Sequence, residues 1–180
     1  MKIIAIVGMA GAGKSEVARL FEQNGYVRIR FGDITDEEVE KRGLRLNETS
    51  ERFVREALRA EHGMAAYAKL SIPRIDRALE RTNVVIDGMY SWEEYKLLKK
   101  HYSEKLSVVA VLTSPRKRYF RLSVRDVRSL NRKEAEERDK SEIENLNKGA
   151  PIAMADYMLT NESTLSNLKR QTQKLIARLG

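Results

Sequence analysis

The sequence predicts an α/β fold: five parallel strands in one sheet, covered by helices on both faces in a three-layer sandwich. Three observations carry this. Short apolar runs alternate with helix-patterned stretches through all 180 residues. The first run ends in a glycine-rich turn that leads directly into a helical pattern. No repeat, low-complexity tract or Pro/Gly-rich linker interrupts the chain, so 1–180 reads as one domain with a full hydrophobic core.

Lys2 to Val7 is apolar and closed by a glycine, read as a buried strand. Ser15 to Asn24 is helical and stops at Gly25. Tyr26 to Phe31 is the second strand. Thr35 and Glu38 form a T-x-x-E pattern, which predicts a helix opening there and ending near Gly43. Two helical stretches follow, divided around Gly63. Asn83 to Asp87 is the third strand, and Ser91 with Glu94 is a second capping box for a helix reaching about His101. Lys105 to Leu112 is apolar enough to be a central strand. Ser114-Pro115 reads as a cap followed by proline at the first helical position. Ala155 to Leu159 is the fifth strand. The final helix offers Leu165, Leu168, Leu175 and Ile176 to the core, as the helix after the third strand offers Leu97 and Leu98. Ligands of such sheets bind at the carboxyl ends of the strands, and each motif below falls at such an end or beside it.

Composition narrows the chemistry. With 42% apolar and 33% charged residues the chain is globular rather than disordered. It has no cysteine, which excludes disulfides, a thiolate zinc site and a cysteine nucleophile. His62 and His101 are its only two histidines and stand apart. No apolar run nears the ~18 residues of a membrane span and no leader pattern opens the chain; a cytoplasmic protein without membrane association is expected. The net charge of +8 favours anionic partners.

Residues Gly8-Met9-Ala10-Gly11-Ala12-Gly13-Lys14-Ser15 fit G-x4-G-K-[ST], between an apolar strand and a helix as that motif requires. The glycines let the backbone curl so that amides converge on phosphate oxygens, and the following helix adds its positive end. Lys14 is placed for the β- and γ-phosphates and the Ser15 hydroxyl for Mg²⁺. Charge-assisted hydrogen bonds contribute roughly 1.5–3 kcal/mol each, enough together for micromolar binding of a nucleoside triphosphate. Switch GTPases and mechanical ATPases share this loop. The chain has no N-K-x-D run, and Asp87-Gly88 are adjacent rather than spaced as D-x-x-G. A small-molecule kinase using ATP (with GTP the alternative) and Mg²⁺ is the remaining common user of the loop.

The loop, Gly32-Asp33, Val84-Val85-Ile86-Asp87-Gly88 and Ala155-Asp156-Tyr157-Met158-Leu159 with Asn161 together resemble an archaeal P-loop family described as adenylate-kinase-related or dephospho-CoA-kinase-like. The resemblance spans nearly the whole chain; the loop is its specific part. It implies a P-loop kinase-type sandwich with an acceptor-binding helical segment at about 33–81 and a lid at about 125–150. It also implies that Asp33 faces the acceptor, that Asp87 helps hold the Mg²⁺ shell, and that Asn161 lies in the turn that packs against adenine. The sequence departs from adenylate kinases at two acceptor-phosphate arginines: Asp36 and Ser91 stand there. Both departures weigh against AMP as acceptor.

Asp33 is a candidate for positioning or deprotonating an acceptor hydroxyl, beside the plainer reading of a turn aspartate. Asp87 ends an apolar strand, where a carboxylate opens into the cleft. Arg30, Arg55 and Arg59 are candidates to replace the missing acceptor arginines. Tyr90 and Trp92 are read as packing before base stacking. Arg118, Arg121, Arg125, Arg128 and Arg132 recur at spacings of three and four, which on one helix makes a single stripe about 21 Å long, more than one triphosphate needs. Arg118 and Arg121 are read as a solvated face paired with the acidic segment from Glu134 to Glu144, and Arg125, Arg128 and Arg138 as lid residues beside the donor phosphates. The expected function is transfer of the γ-phosphoryl of ATP to a small acceptor, a nucleotide or nucleotide-like metabolite. The alternative is a nucleotide-dependent binding module or ATPase acting with RNA, along whose backbone the stripe would lie, or with a protein partner.

Overall fold

A computed structural model describes residues 1–126 and 128–180; the expected lid range includes residue 127, which lies outside the described residues. Five strands form one all-parallel sheet: β1 Ile3–Val7, β2 Val27–Arg30, β3 Val84–Asp87, β4 Leu106–Leu112 and β5 Tyr157–Thr160, in the order β2-β3-β1-β4-β5. Side chains alternate across each strand. Ile3, Ala5, Val7, Ile86 and Val108 therefore pack on one face, against α2 Gly32–Lys41, α3 Glu48–His62, α4 Ala66–Leu79 and α5 Trp92–Tyr102. Ile4, Ile6, Val85, Val109 and Val111 pack on the other, against α1 Lys14–Gln23 and α9 Leu165–Leu179. β1 is buried at every residue and lies between β3 and β4, so its carboxyl end is the switch point where the connections leave in opposite directions.

Local chemistry sets most boundaries where the sequence puts them. Gly63, at φ 80°, stops α3, and Ser91 and Glu94 complete their reciprocal capping box at the start of α5. Four expectations need correction. The helix assigned to Thr35 begins at Gly32: the buried Phe31 turns β2 directly into α2, and the Thr35 hydroxyl lies 2.7 Å from the Tyr67 hydroxyl instead of capping. The fifth strand starts at Tyr157 because the Asp156 carboxylate accepts the Val108 amide at 2.7 Å. Leu165, in the first turn of α9, is exposed rather than core. The arginine stripe does not exist as one helix. α6 Pro115–Ser123 ends before Arg125, and α7 Arg132–Glu144 restarts from an Asn131–Glu134 capping box. Arg128 lies between them with φ 58°.

A third, smaller cluster joins α6 and α7 to the glycine-rich turn: Ala10, Leu122 and Ala135 are buried together, with Tyr119 and Leu130 against them. It carries both helices to the end of the sheet where β1 opens, while the short helix α8 Gly149–Ala153 packs by Ile152 on the first face of the sheet.

Candidate functional site

The loop after β1 has the backbone that its glycines permit. Gly8 has φ 144° and Gly13 φ 103°. A Cβ on Gly8 would stand 2.5 Å from the Val111 carbonyl, and one on Gly13 would collide with the Asn161 amide. The Met9 carbonyl accepts from the Ala12 amide at 3.2 Å and from Lys14 Nζ at 3.0 Å. The Ala12 carbonyl accepts from Thr113 Oγ1 at 3.0 Å and Asn161 Nδ2 at 2.9 Å. Asn161 is thus fixed in the turn after β5 beside the loop, where Arg121 Nη2 donates to its carbonyl at 2.9 Å.

A cavity of about 140 Å³ opens on this loop. Lys14, Arg30, Arg125, Arg138 and Lys148 line it against two carboxylates, Asp87 and Glu142. Burial, then the nearby Lys148, lowers the Lys14 pKa to about 7. Burial opposes the charge on Glu142, but Lys148 and Arg138 outweigh it and hold its pKa at about 2. Asp87 ends β3, buried, its Oδ2 accepting from Arg28 Nη2 at 2.5 Å and Nε at 3.2 Å. Ser15 and Asp87 both line the cavity. Among the described residues no cluster of three His, Cys, Asp or Glu side chains could hold a metal. Mg²⁺ carried on phosphates needs only one or two protein ligands, so one hydroxyl and one carboxylate fit it.

Arg118 is not on a solvated face. It is buried, forks onto Asp139 of α7 at 2.8 and 2.5 Å, and donates to the Ala10 carbonyl at 3.1 Å. Its pairing with the acidic segment holds as expected, but as a buried tie between α6, α7 and the loop.

A second cavity, of about 920 Å³, adjoins the first and shares Arg30, Gly32, Tyr90, Arg138 and Glu142 with it. Arg30, Arg52, Arg55, Arg59, Arg128 and Arg138 line it, against Asp36, Glu48, Glu51, Glu56, Glu134, Glu137 and Glu142. Five of the arginines have carboxylate partners: Arg30 with Asp33 at 2.8 Å, Arg52 with Glu56 at 2.9 Å, Arg55 with Glu48 at 2.7 Å, Arg128 with Glu51 at 2.5 Å and Arg138 with Glu142 at 3.3 Å. Among the described residues Arg59 has no ion-pair partner. Its guanidinium lies 5.3 Å over the Tyr67 ring with Nε buried and unbonded.

The cavities bring together Lys14, Ser15, Asp87, Arg125 and Arg138 at one end and Arg55, Arg59 and Arg128 at the other. Asp33 lines neither cavity; burial raises its pKa although Arg30 pairs with it. Asp36, one turn on, lines the larger one. Tyr90 lies in the shared wall, edge-on to Tyr67, while Trp92 stacks on Tyr95. Lys148 is a site residue that the sequence reading misses, and Glu142 is read there only as one of the acids paired with a solvated arginine face. Glu142 sits in a run of acids that resembles a solvated face, and nothing around Lys148 marks it.

A parallel sheet with a glycine-rich phosphate loop at its switch point defines the class: a P-loop, kinase-like, nucleotide-binding fold. Residues 4–145 match the AAA_18 family, described as an AAA domain. The chain belongs to the UPF0200 family. It is 40% identical to a UPF0200 protein of Thermococcus sibiricus, covering 99% of this chain and 95% of that protein. It is 36% identical to one of Thermococcus onnurineus, covering 98% and 97%. Among solved structures, a shikimate kinase from Bacteroides thetaiotaomicron matches with a TM-score of 0.64 at 14% identity, over 99% of this chain and 98% of that one. A gluconokinase from Sinorhizobium meliloti 1021 matches at 0.61 and 19%, over 99% and 93%. These structures share the fold. No helix among the described residues is long and apolar enough to cross a membrane.

Proposed function

We propose that the protein is a phosphotransferase that binds Mg·ATP at residues 8–15 and passes the γ-phosphoryl group to a small acceptor in the larger cavity. One observation carries the reading: a cationic cavity on the phosphate loop shares a wall with a cavity large enough for a nucleotide-sized molecule. Lys14 and the loop amides bind the polyphosphate. Ser15 and Asp87 would hold Mg²⁺, which supplies charge neutralisation on the phosphates when bound. Arg138, in the shared wall, and Arg125 neutralise charge on the transferred group, and the segment from α7 to residue 150 acts as the lid that keeps water out. Asp33 positions Arg30 rather than touching the acceptor itself.

The acceptor is a nucleotide or nucleotide-like metabolite. Arg59 supports a single anionic group as its anchor, since the other arginines are already paired. Asp36 and Glu137 favour a body that carries hydrogen-bond donors. The RNA reading loses its supporting feature, because the arginines do not form one stripe and Arg118 is buried.

The test is a screen of nucleosides, nucleoside monophosphates and dephospho-CoA with Mg·ATP, following ADP and phosphorylated product together. The expected outcome is one acceptor that yields both in equal amounts. ADP and free phosphate released at the same rate with every compound would instead mark a hydrolase.

A further inference from the structure

Lys148 is 1% exposed, yet it lines the small cavity and not an apolar core. Its Nζ donates to Glu142 Oε2 at 2.7 Å and lies 5.3 Å over the Tyr90 ring. Glu142 also accepts from Arg138 Nε at 3.3 Å. Two lysines, Lys14 and Lys148, therefore share one cavity with the carboxylates of Asp87 and Glu142, and Glu142 bonds Lys148 directly. Burying a lysine–glutamate pair costs desolvation that a structural tie seldom recovers. The same pair beside a phosphate loop is the geometry of a counter-ion that holds a cation ready for an anion. Lys148 touches only the small cavity, whereas Tyr90, Arg138 and Glu142 also line the larger one. That places Lys148 on the phosphate-loop side of the shared wall, bonded to Glu142 in that wall.

We propose that Lys148 is a ligand of the terminal phosphate of the bound nucleoside triphosphate, held until binding by Glu142, which yields it to the phosphate. This rests on the nucleotide-binding reading above. Lys148 would then report the third phosphate, while Lys14 and the loop grip the whole chain of phosphates.

Calorimetric titration with Mg·ATP and with Mg·ADP separates these roles. Lys148→Met should weaken Mg·ATP by about tenfold or more, the size of a lost charge-assisted bond, and leave Mg·ADP within about twofold. Lys148→Arg should recover most of the loss. Glu142→Gln should raise the ratio of Mg·ATP to Mg·ADP affinity by freeing Lys148 together with Arg138, and if Lys148→Met does not fold, Lys148→Gln, which keeps a hydrogen bond to Glu142, decides the matter by the same two titrations. Equal weakening of both nucleotides in Lys148→Met, or an unchanged ratio in Glu142→Gln, overturns the assignment and leaves Lys148 a support of the loop. A wild-type protein that binds neither nucleotide overturns the underlying reading instead.

Discussion

The two adjoining cavities are made of opposite materials. The small one is a backbone turn with five cationic side chains against two carboxylates. The larger one is built by side chains from α2, α3 and α7, six arginines against seven carboxylates, most of them paired with one another. The first has an excess of positive charge and suits a polyanion. The second is close to neutral and rigidified by ion pairs, and suits a molecule that presents donors with one anionic group. Asp36 stands in that second cavity, one helical turn beyond Asp33. On the proposed reading, the small cavity takes the polyphosphate common to P-loop proteins and the larger one sets specificity.

The largest expected effect comes from breaking the scaffold of the small cavity. Arg118→Ala would strand the buried Asp139 and loosen the Ala10 carbonyl, at a cost of about 3–5 kcal/mol in urea unfolding. A change under about 1 kcal/mol would mean that the fork adds little to the loop's position.

Next, Arg59→Ala should raise the acceptor KM about tenfold while Mg·ATP affinity stays within about twofold. Arg52→Ala removes an exposed pair with Glu56 and should change neither. Equal losses in the two variants would erase the distinction between a free and a paired guanidinium.

The small cavity and the sheet were legible in the sequence because their causes are local. An apolar run, three glycines, a lysine and a helix lie within fifteen residues, and the capping box at Ser91 needs only Glu94. The larger cavity was not, because Asp36, Arg59 and Glu137 meet only through tertiary packing. Thr35 and Glu38 matched a capping pattern, but the helix had already begun, and the Thr35 hydroxyl faced Tyr67. The arginines from Arg118 to Arg132 kept helical spacing across a break at Ser123 that spacing alone does not reveal. Lys148 and Glu142 had no signal beyond charge.

A smaller effect sharpens the contrast through pH. Burial lowers Lys14 to about 7, so near pH 8 it is mostly neutral before binding, and a polyphosphate favours its charged form. Mg·ATP binding should therefore take up close to one proton at pH 8 and almost none at pH 6, read from calorimetry in buffers of different ionisation heat. Affinity should fall as pH rises from about 7 to 9. The lysine's own contribution to stability has the matching sign: the unfolded chain binds more protons between about 7 and 10.5, so stability from this group rises with pH across that window. Lys14→Met should abolish the uptake.

The most direct measurement is titration of the intact protein with Mg·ATP, alongside Lys14→Ala. The expected result is saturable binding in the micromolar range that the variant weakens by roughly ten- to a hundredfold while melting normally. Heat that fails to saturate at millimolar nucleotide in the wild-type protein would contradict the phosphate-loop assignment and every role built on it.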